Sequence, residues 1–151
     1  AIYYLAQNPA LKAKILTDHS LIPKLYFETC RFDQPTNMLC RRAINDFELG
    51  GKNIKAGQNL LYLYASANRD SAEFQRADEF DIFRDHKRDL TYGTGGHKCL
   101  GMHLASMGAT ILFEELFKKI TGYELLEDSC QRVFWEHLSG FSKVPIKIML
   151  K

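Results

Sequence analysis

The chain has 151 residues, 46% hydrophobic and 12% aromatic, which is material for one core of ordinary size. Its 20 Lys and Arg against 18 Asp and Glu leave a net charge of +2, which excludes nucleic acid as the default partner. No run approaches the roughly 18 uninterrupted apolar residues of a membrane span, and the N-terminus lacks signal-peptide order, so a soluble chain without a membrane segment is expected. Cys30, Cys40, Cys99 and Cys130 lack the spacings of a zinc site and point to a reducing compartment. The start at Ala1-Ile2-Tyr3, without an initiator Met, suggests a chain cut from something longer.

In chain order, Ile2, Leu5 and Ala6 belong to a first helical turn or two, and Asn8-Pro9 reads as a cap with proline in the first turn of a second helix. Ser20 is placed to cap a helix over residues 21 to 32, with apolar Leu21, Leu25 and Phe32, ahead of the breaker Gln34-Pro35. Glu28 and Arg31 share its face. Asp46 to Ile54 alternates and turns on Gly50-Gly51, as a β-hairpin does. Leu60 to Ala67 is apolar without a deciding period, and Asp70-Ser71-Ala72-Glu73 has capping-box spacing that marks a short helix start. From Leu100, the positions Leu104, Met107, Ile111, Leu112, Leu116 and Ile120 form one apolar stripe of a long helix ended by Thr121-Gly122. Ile146, Ile148 and Leu150 alternate after a Ser139-Gly140 turn, predicting a closing hairpin. The fold class is mainly α with small β-hairpins.

Chemistry concentrates in Tyr92-Gly93-Thr94-Gly95-Gly96-His97-Lys98-Cys99-Leu100-Gly101, a glycine-rich loop leading into the long helix. A helix N-terminus and unpaired N–H groups favour the thiolate of Cys99, while glycines at 93, 95, 96 and 101 remove the Cβ atoms that would block a flat ligand. A cysteine near glycines is ordinarily a packed small hydrophobe, and Gly93-Thr94-Gly95-Gly96 could instead cradle phosphate, although it lacks the GxxxxGK[ST] order.

The decapeptide resembles the haem-binding signature of the cytochrome P-450 family, with Tyr92 where the family usually has Phe. Glu28-Thr29-Cys30-Arg31 resembles the family's Glu-x-x-Arg helix, and Asn68-Arg69-Asp70 followed by Phe74 resembles a run in its soluble bacterial-type members. The resemblance covers the chain nearly end to end and implies that residues 1–151 are the C-terminal haem-binding portion of a single larger catalytic domain. The helix lining the oxygen site and most of the substrate pocket then precede residue 1.

What the resemblance implies for the site is specific. Cys99 is the thiolate ligand of the iron of haem b (iron protoporphyrin IX), the metal-binding and catalytic residue. Tyr92, Gly93, Gly95 and Gly101 belong to the haem-binding loop, Arg41 and His97 bind the propionates, and Glu28, Arg31 and Arg84 form a structural triad. Arg42 is the neighbour that could be mistaken for Arg41. Asp89 stands where many members have a propionate-binding His, with His86, Lys87 or Arg88 as possible compensation. The implied activity is monooxygenation of a small, apolar organic substrate with electrons from a ferredoxin or flavodoxin type donor, docking at Lys87, Arg88, Lys98 and His103, in the cytoplasm. Residues 32–39 and 137–141 are the segments implied to touch substrate. The alternatives are a haem-binding sensor or electron carrier without turnover, and a portion inactive on its own.

Overall fold

Asn8 separates the first two helices, α1 (Ile2–Ala6) and α2 (Pro9–Thr17): its side-chain oxygen accepts from the Leu11 amide at 3.1 Å, and Pro9 lies in the first turn. The computed structural model describes residues 1–151. The next start differs from expectation. Asp18, not Ser20, is the cap, accepting from the Ser20 amide at 3.1 Å and its hydroxyl at 2.6 Å over a short 3-10 turn, His19–Leu21. Helix α3 (Ile22–Phe32) follows, because Pro23 has no N–H to give and must sit in a first turn.

Strand β1 (Leu39–Arg42) leads into the hairpin of β2 (Phe47–Leu49) and β3 (Lys52–Ile54). Gly50 and Gly51 turn it with φ of +55° and +73°, the pair of positive values that matches strand twist. The undecided run divides into β4 (Asn59–Tyr62), antiparallel to β1, and a single helical turn, α4 (Tyr64–Ala67). The capping-box spacing at residue 70 starts no helix. Asp70 Oδ1 does accept from the Ala72 amide at 2.9 Å, but Glu73 turns to Arg88 and Arg76 adopts φ +52°, which a right-handed helix cannot continue through. Residues 68–94 cross the molecule as turns held by side-chain hydrogen bonds.

The long helix α5 (Met102–Lys119) runs directly into β5 (Ile120–Leu125), so Thr121-Gly122 lies in a strand rather than ending the helix. A 3-10 turn at Glu127–Ser129 precedes β6 (Gln131–Phe134), β7 (Ser139–Lys143) and β8 (Ile146–Leu150). Ser139 and Gly140 are inside β7, which pairs with β6, while β8 pairs with β5 from Ile120↔Leu150 to Leu125↔Ile146. The tail therefore closes on the end of α5 and not as a hairpin of its own. Alternation gave the strand but could not name its partner.

Leu5, Ile15, Leu21, Ile22, Leu25, Ile82, Phe117, Ile120 and Tyr123 form the core, drawn from α1, α2, the 3-10 turn, α3, the turns of residues 68–94, the last turn of α5 and β5. The predicted stripe of α5 is largely outside it. Leu104, Met107, Ile111 and Leu112 are 70%, 55%, 52% and 65% exposed, and Phe117 is the buried residue of the helix. No helix is long and apolar enough to cross a membrane.

Candidate functional site

Fully buried Asn68 positions the approach to the cysteine loop. Its Oδ1 accepts from the Leu90 amide at 2.8 Å, and its Nδ2 donates to Gln34 Oε1 at 3.0 Å and Thr91 Oγ1 at 3.3 Å. Gln34 Nε2 in turn donates to the Thr91 carbonyl at 3.0 Å, fastening the stretch before Tyr92 to the end of α3. The loop then folds on itself: the Cys99 amide donates to the Tyr92 carbonyl at 2.8 Å, and Lys98 to that of Gly95 at 3.1 Å. Gly93 and Gly95 hold φ of +67° and +64°, a region a side chain resists, whereas Gly96 does not.

Cys99 precedes α5 by three residues, with an exposed thiol. A Cβ added at Gly101 would stand 3.9 Å from its sulfur, so the sulfur rests against that glycine. The amides of Leu100 and Gly101 donate to no acceptor in the chain and are the free N–H groups beside it. A cavity of about 410 Å³ is lined by Cys99, His97, Tyr92 and Gly93 from the loop, Tyr26 and Cys30 from α3, and residues 34–36 and Leu39 beyond. Nothing lies within 4 Å of a Cβ built on Gly95 or Gly96, so that face of the loop is open to a flat group. The chemistry of this donor set fits haem: one accessible thiol, an imidazole and a wall without Cβ atoms.

The Tyr26 and Tyr92 hydroxyls are bonded to each other at the cavity wall. Burial pushes the Tyr92 phenol well above its ordinary value, and the bond to Tyr26 adds to it; burial also raises Tyr26. Both stay protonated at neutral pH and place no phenolate near Cys99. Burial likewise pushes the Cys30 thiol up to about 11, so Cys30 is neutral at pH 7.

Behind the loop, Glu28 and Arg31 are fully buried and meet fork to fork, Nε–Oε2 and Nη2–Oε1 both at 2.8 Å. Glu28 Oε1 also accepts from the Asp81 amide at 2.8 Å, while Arg31 Nη1 donates to the carbonyls of Asn68 at 2.7 Å and Ala77 at 2.9 Å. Arg84 reaches this group by a longer contact, Nε to Glu28 Oε1 at 3.6 Å, and spends its Nη2 on the carbonyls of Arg76 at 2.8 Å and Glu79 at 3.2 Å.

His97 lines the cavity with Cys99, but Arg41 does not. The Arg41 guanidinium, on β1, donates to the carbonyl of the preceding Cys40 at 2.9 Å and has no acidic partner, whereas Arg42 lies over the turn at Gly57. His86, Lys87 and Arg88 are each turned to acidic neighbours. Lys87 meets Asp85 at 3.4 Å, Arg88 pairs with Glu73, and His86 faces Glu28 and Asp89. These three side chains and Lys98 line a separate groove of about 760 Å³ that Asp70, Glu73 and Asp89 also line, so its charge is mixed; His103 lies outside it. The segments 32–39 and 137–141 join each other: the Asn37 amide donates to the His137 carbonyl at 2.8 Å and the Ser139 amide to that of Pro35 at 2.9 Å. No strand precedes Gly93, and the loop lacks the setting of a phosphate cradle.

Asn68 read from sequence is a capped turn, and Gln34 a breaker. Tyr26 had a local signal, since it stands one turn before Cys30 on the same face of α3.

The profile of the cytochrome P-450 family matches residues 20–150. Cytochrome P-450-terp of a Pseudomonas species is 41% identical over 147 residues, covering 97% of this chain and 34% of the relative. Among solved structures, CYP108D1 from Novosphingobium aromaticivorans superposes with a TM-score of 0.93 at 33% identity, over 99% of this chain and 36% of that one. CYP109Q5 from Chondromyces apiculatus gives 0.91 at 29%, over 99% and 39%. The chain thus spans little more than a third of the length of these relatives. By profile, sequence and superposition, it belongs to the cytochrome P-450 family.

Proposed function

We propose that residues 1–151 are the haem-binding C-terminal portion of a single larger catalytic domain, a haem-thiolate monooxygenase. The observation that carries the reading is the accessible Cys99 sulfur at the wall of a cavity, beside His97 and a loop of glycines, with two free amides next to it. Cys99 is the proposed ligand of the iron. The amides of Leu100 and Gly101 stabilise negative charge on its sulfur, and Gly93, Gly95 and Gly101 keep side chains off the face that a flat group approaches. His97 and Arg41 are the proposed propionate donors; Arg41 has only a backbone carbonyl to give up. Tyr92 lines the same cavity as the sulfur, its neutral hydroxyl bonded to Tyr26. Glu28, Arg31 and Arg84 act at one remove, fixing the turns that carry the loop.

Haem ligated by thiolate supplies activation of dioxygen and transfer of one oxygen atom to an organic substrate, with electrons from a redox partner. A small apolar substrate is proposed, and a ferredoxin or flavodoxin type donor is proposed for the groove holding Lys87, Arg88 and Lys98. The exposed apolar stripe of α5 supports the division into portions. Leu104, Met107, Ile111 and Leu112 need a cover, which the remaining two thirds of such a domain would provide, and this portion alone is proposed to be inactive. Four free cysteines fit the proposed cytoplasmic setting.

The test is the carbon monoxide difference spectrum of the reduced full-length protein and its Cys99→Ser variant. A strongly red-shifted Soret band in the parent and its loss in the variant are expected; haem binding indifferent to the substitution refutes the assignment. Substrate turnover with a reductase separates a monooxygenase from a haem-binding sensor or carrier.

A further inference from the structure

Asp89 is an acid in need of a cation. Its side chain is 7% exposed, its Oδ1 accepts from the Thr91 amide at 2.5 Å, and no Lys or Arg lies within ion-pair distance. The adjacent cations are engaged elsewhere, Lys87 with Asp85 and Arg88 with Glu73. What faces Asp89 is His86, Nδ1 to Oδ2 at 3.4 Å, while the other nitrogen of the same ring, Nε2, stands 3.6 Å from Glu28 Oε2. Both ring nitrogens are buried and neither has a hydrogen-bond partner. A neutral imidazole has one N–H and one lone pair, so between two carboxylates it must turn the lone pair toward one of them. The doubly protonated ring has a donor for each.

We propose that His86 and Asp89 form a proton-dependent latch that ties the start of the Cys99 loop to the buried Glu28–Arg31 pair. The inference rests on the proposed role of that loop in holding haem. Arg31 and Arg84 already balance Glu28 from α3 and from the turn before His86, so the carboxylate that depends on the imidazolium is Asp89. Asp85, bound by Lys87, and the Glu73–Arg88 pair and Asp70 in the groove are the remaining charged groups around the ring. Through the Thr91 amide, Asp89 sets the chain just before Tyr92, whose carbonyl holds the Cys99 amide at 2.8 Å. A proton on His86 is therefore transmitted to the loop by three consecutive contacts, making His86 a positioning residue. The sign follows: the latch is closed when the ring carries both protons and opens when it is neutral, with one donor for two carboxylates.

The test measures amide hydrogen exchange at residues 91–93 in the full-length protein at pH 6 and pH 8, corrected for intrinsic exchange, with and without haem. The parent is expected to open about tenfold more often at pH 8. His86→Gln removes the difference and exchanges fast at both values; Asp89→Asn also removes it but exchanges slowly at both, because a neutral amide needs no counter-charge. A parent whose exchange ignores pH, or a folded His86→Gln variant that keeps the parent's pH dependence, overturns the latch. The haem-free measurement keeps the two readings apart: a protein that takes up no haem refutes the role of Cys99 while leaving the latch to stand or fall on exchange alone.

Discussion

Removing the charge of Glu28 while keeping its shape is the sharpest test of the network behind the loop. Three donors converge on the two carboxylate oxygens: Arg31 Nε on Oε2, and Arg31 Nη2 and the Asp81 amide on Oε1, each at 2.8 Å. Glu28→Gln replaces one oxygen by an NH₂ group. The side chain turns so that this group meets the fewest donors, which sets it against Arg31 Nε and keeps the oxygen for Nη2 and Asp81. One charge-assisted bond is lost, and a fully buried guanidinium is left without its anion. Breaking a buried pair in this way costs about 3–5 kcal/mol, a large share of the roughly 5–15 kcal/mol that holds an ordinary domain folded.

The assay is the urea midpoint of the full-length protein, with haem content read beside it. The control is Glu79→Gln, which removes an ion pair to Arg76 whose side chains are 60% and 58% exposed; at that exposure the expected loss is about 0–1 kcal/mol. A Glu28→Gln variant within about 1 kcal/mol of the parent refutes the argument, since such a value is what a solvated pair would give. Arg31→Met offers no escape by apolar replacement, because Arg31 also closes the carbonyls of Asn68, Ala77 and Glu79.

Three further outcomes are expected. Because burial raises the Cys30 thiol to about 11 from 9.0, the unfolded chain binds fewer protons than the native one between those values. Stability should then fall as pH rises from 9 to 11, by about 2–3 kcal/mol; Cys30→Ala should flatten that limb of a urea-midpoint profile. Gly93→Ala places a Cβ in ordinary contact, 3.8 Å from the His97 carbonyl and the Tyr64 hydroxyl, so its cost is that of φ +67° alone, about 1–2 kcal/mol by thermal melting. Tyr92→Phe leaves the Tyr26 hydroxyl without its partner and should lower stability by about 1 kcal/mol, with Tyr26→Phe adding little when the two are combined.

The features legible in the sequence were those set by local chemistry. Gly50-Gly51 demands a hairpin turn, Asn8-Pro9 a helix start, and Glu28 and Arg31 one turn apart on α3 can meet without help from the rest of the chain. The loop around Cys99 was legible in part because Gly93 and Gly95 hold positive φ, which their residue type signals, whereas Gly96 and Gly101 do not. Three failures share another cause. The cap at Asp18, the turn at Asp70 and the pairing of β8 with β5 were each decided by a neighbour that spacing does not reveal: Pro23, Arg76 and the end of α5. The α5 stripe had the right period, but period identifies a face and not what lies against it.

His86 and Asn68 show the same limit at the site itself. Each is a single polar residue in a turn-rich stretch, and alone each reads as solvated or as a cap. Their roles exist only because segments separated in sequence by tens of residues converge: Asn68 joins residues 31, 34, 90 and 91, and His86 stands between residues 28 and 89. Glu28, Arg31, Gln34 and Asn68 are the buried polar residues of the chain, and all four belong to this one convergence. The apolar core, by contrast, gathers around α1, α2 and the end of α5 and contains no residue of the cysteine loop. The position of Cys99 is therefore set by hydrogen bonds of fixed length and direction rather than by apolar packing, which is non-directional. A buried polar group deprived of its partner has no comparable alternative, so substitutions in this network should displace the loop before they unfold the core.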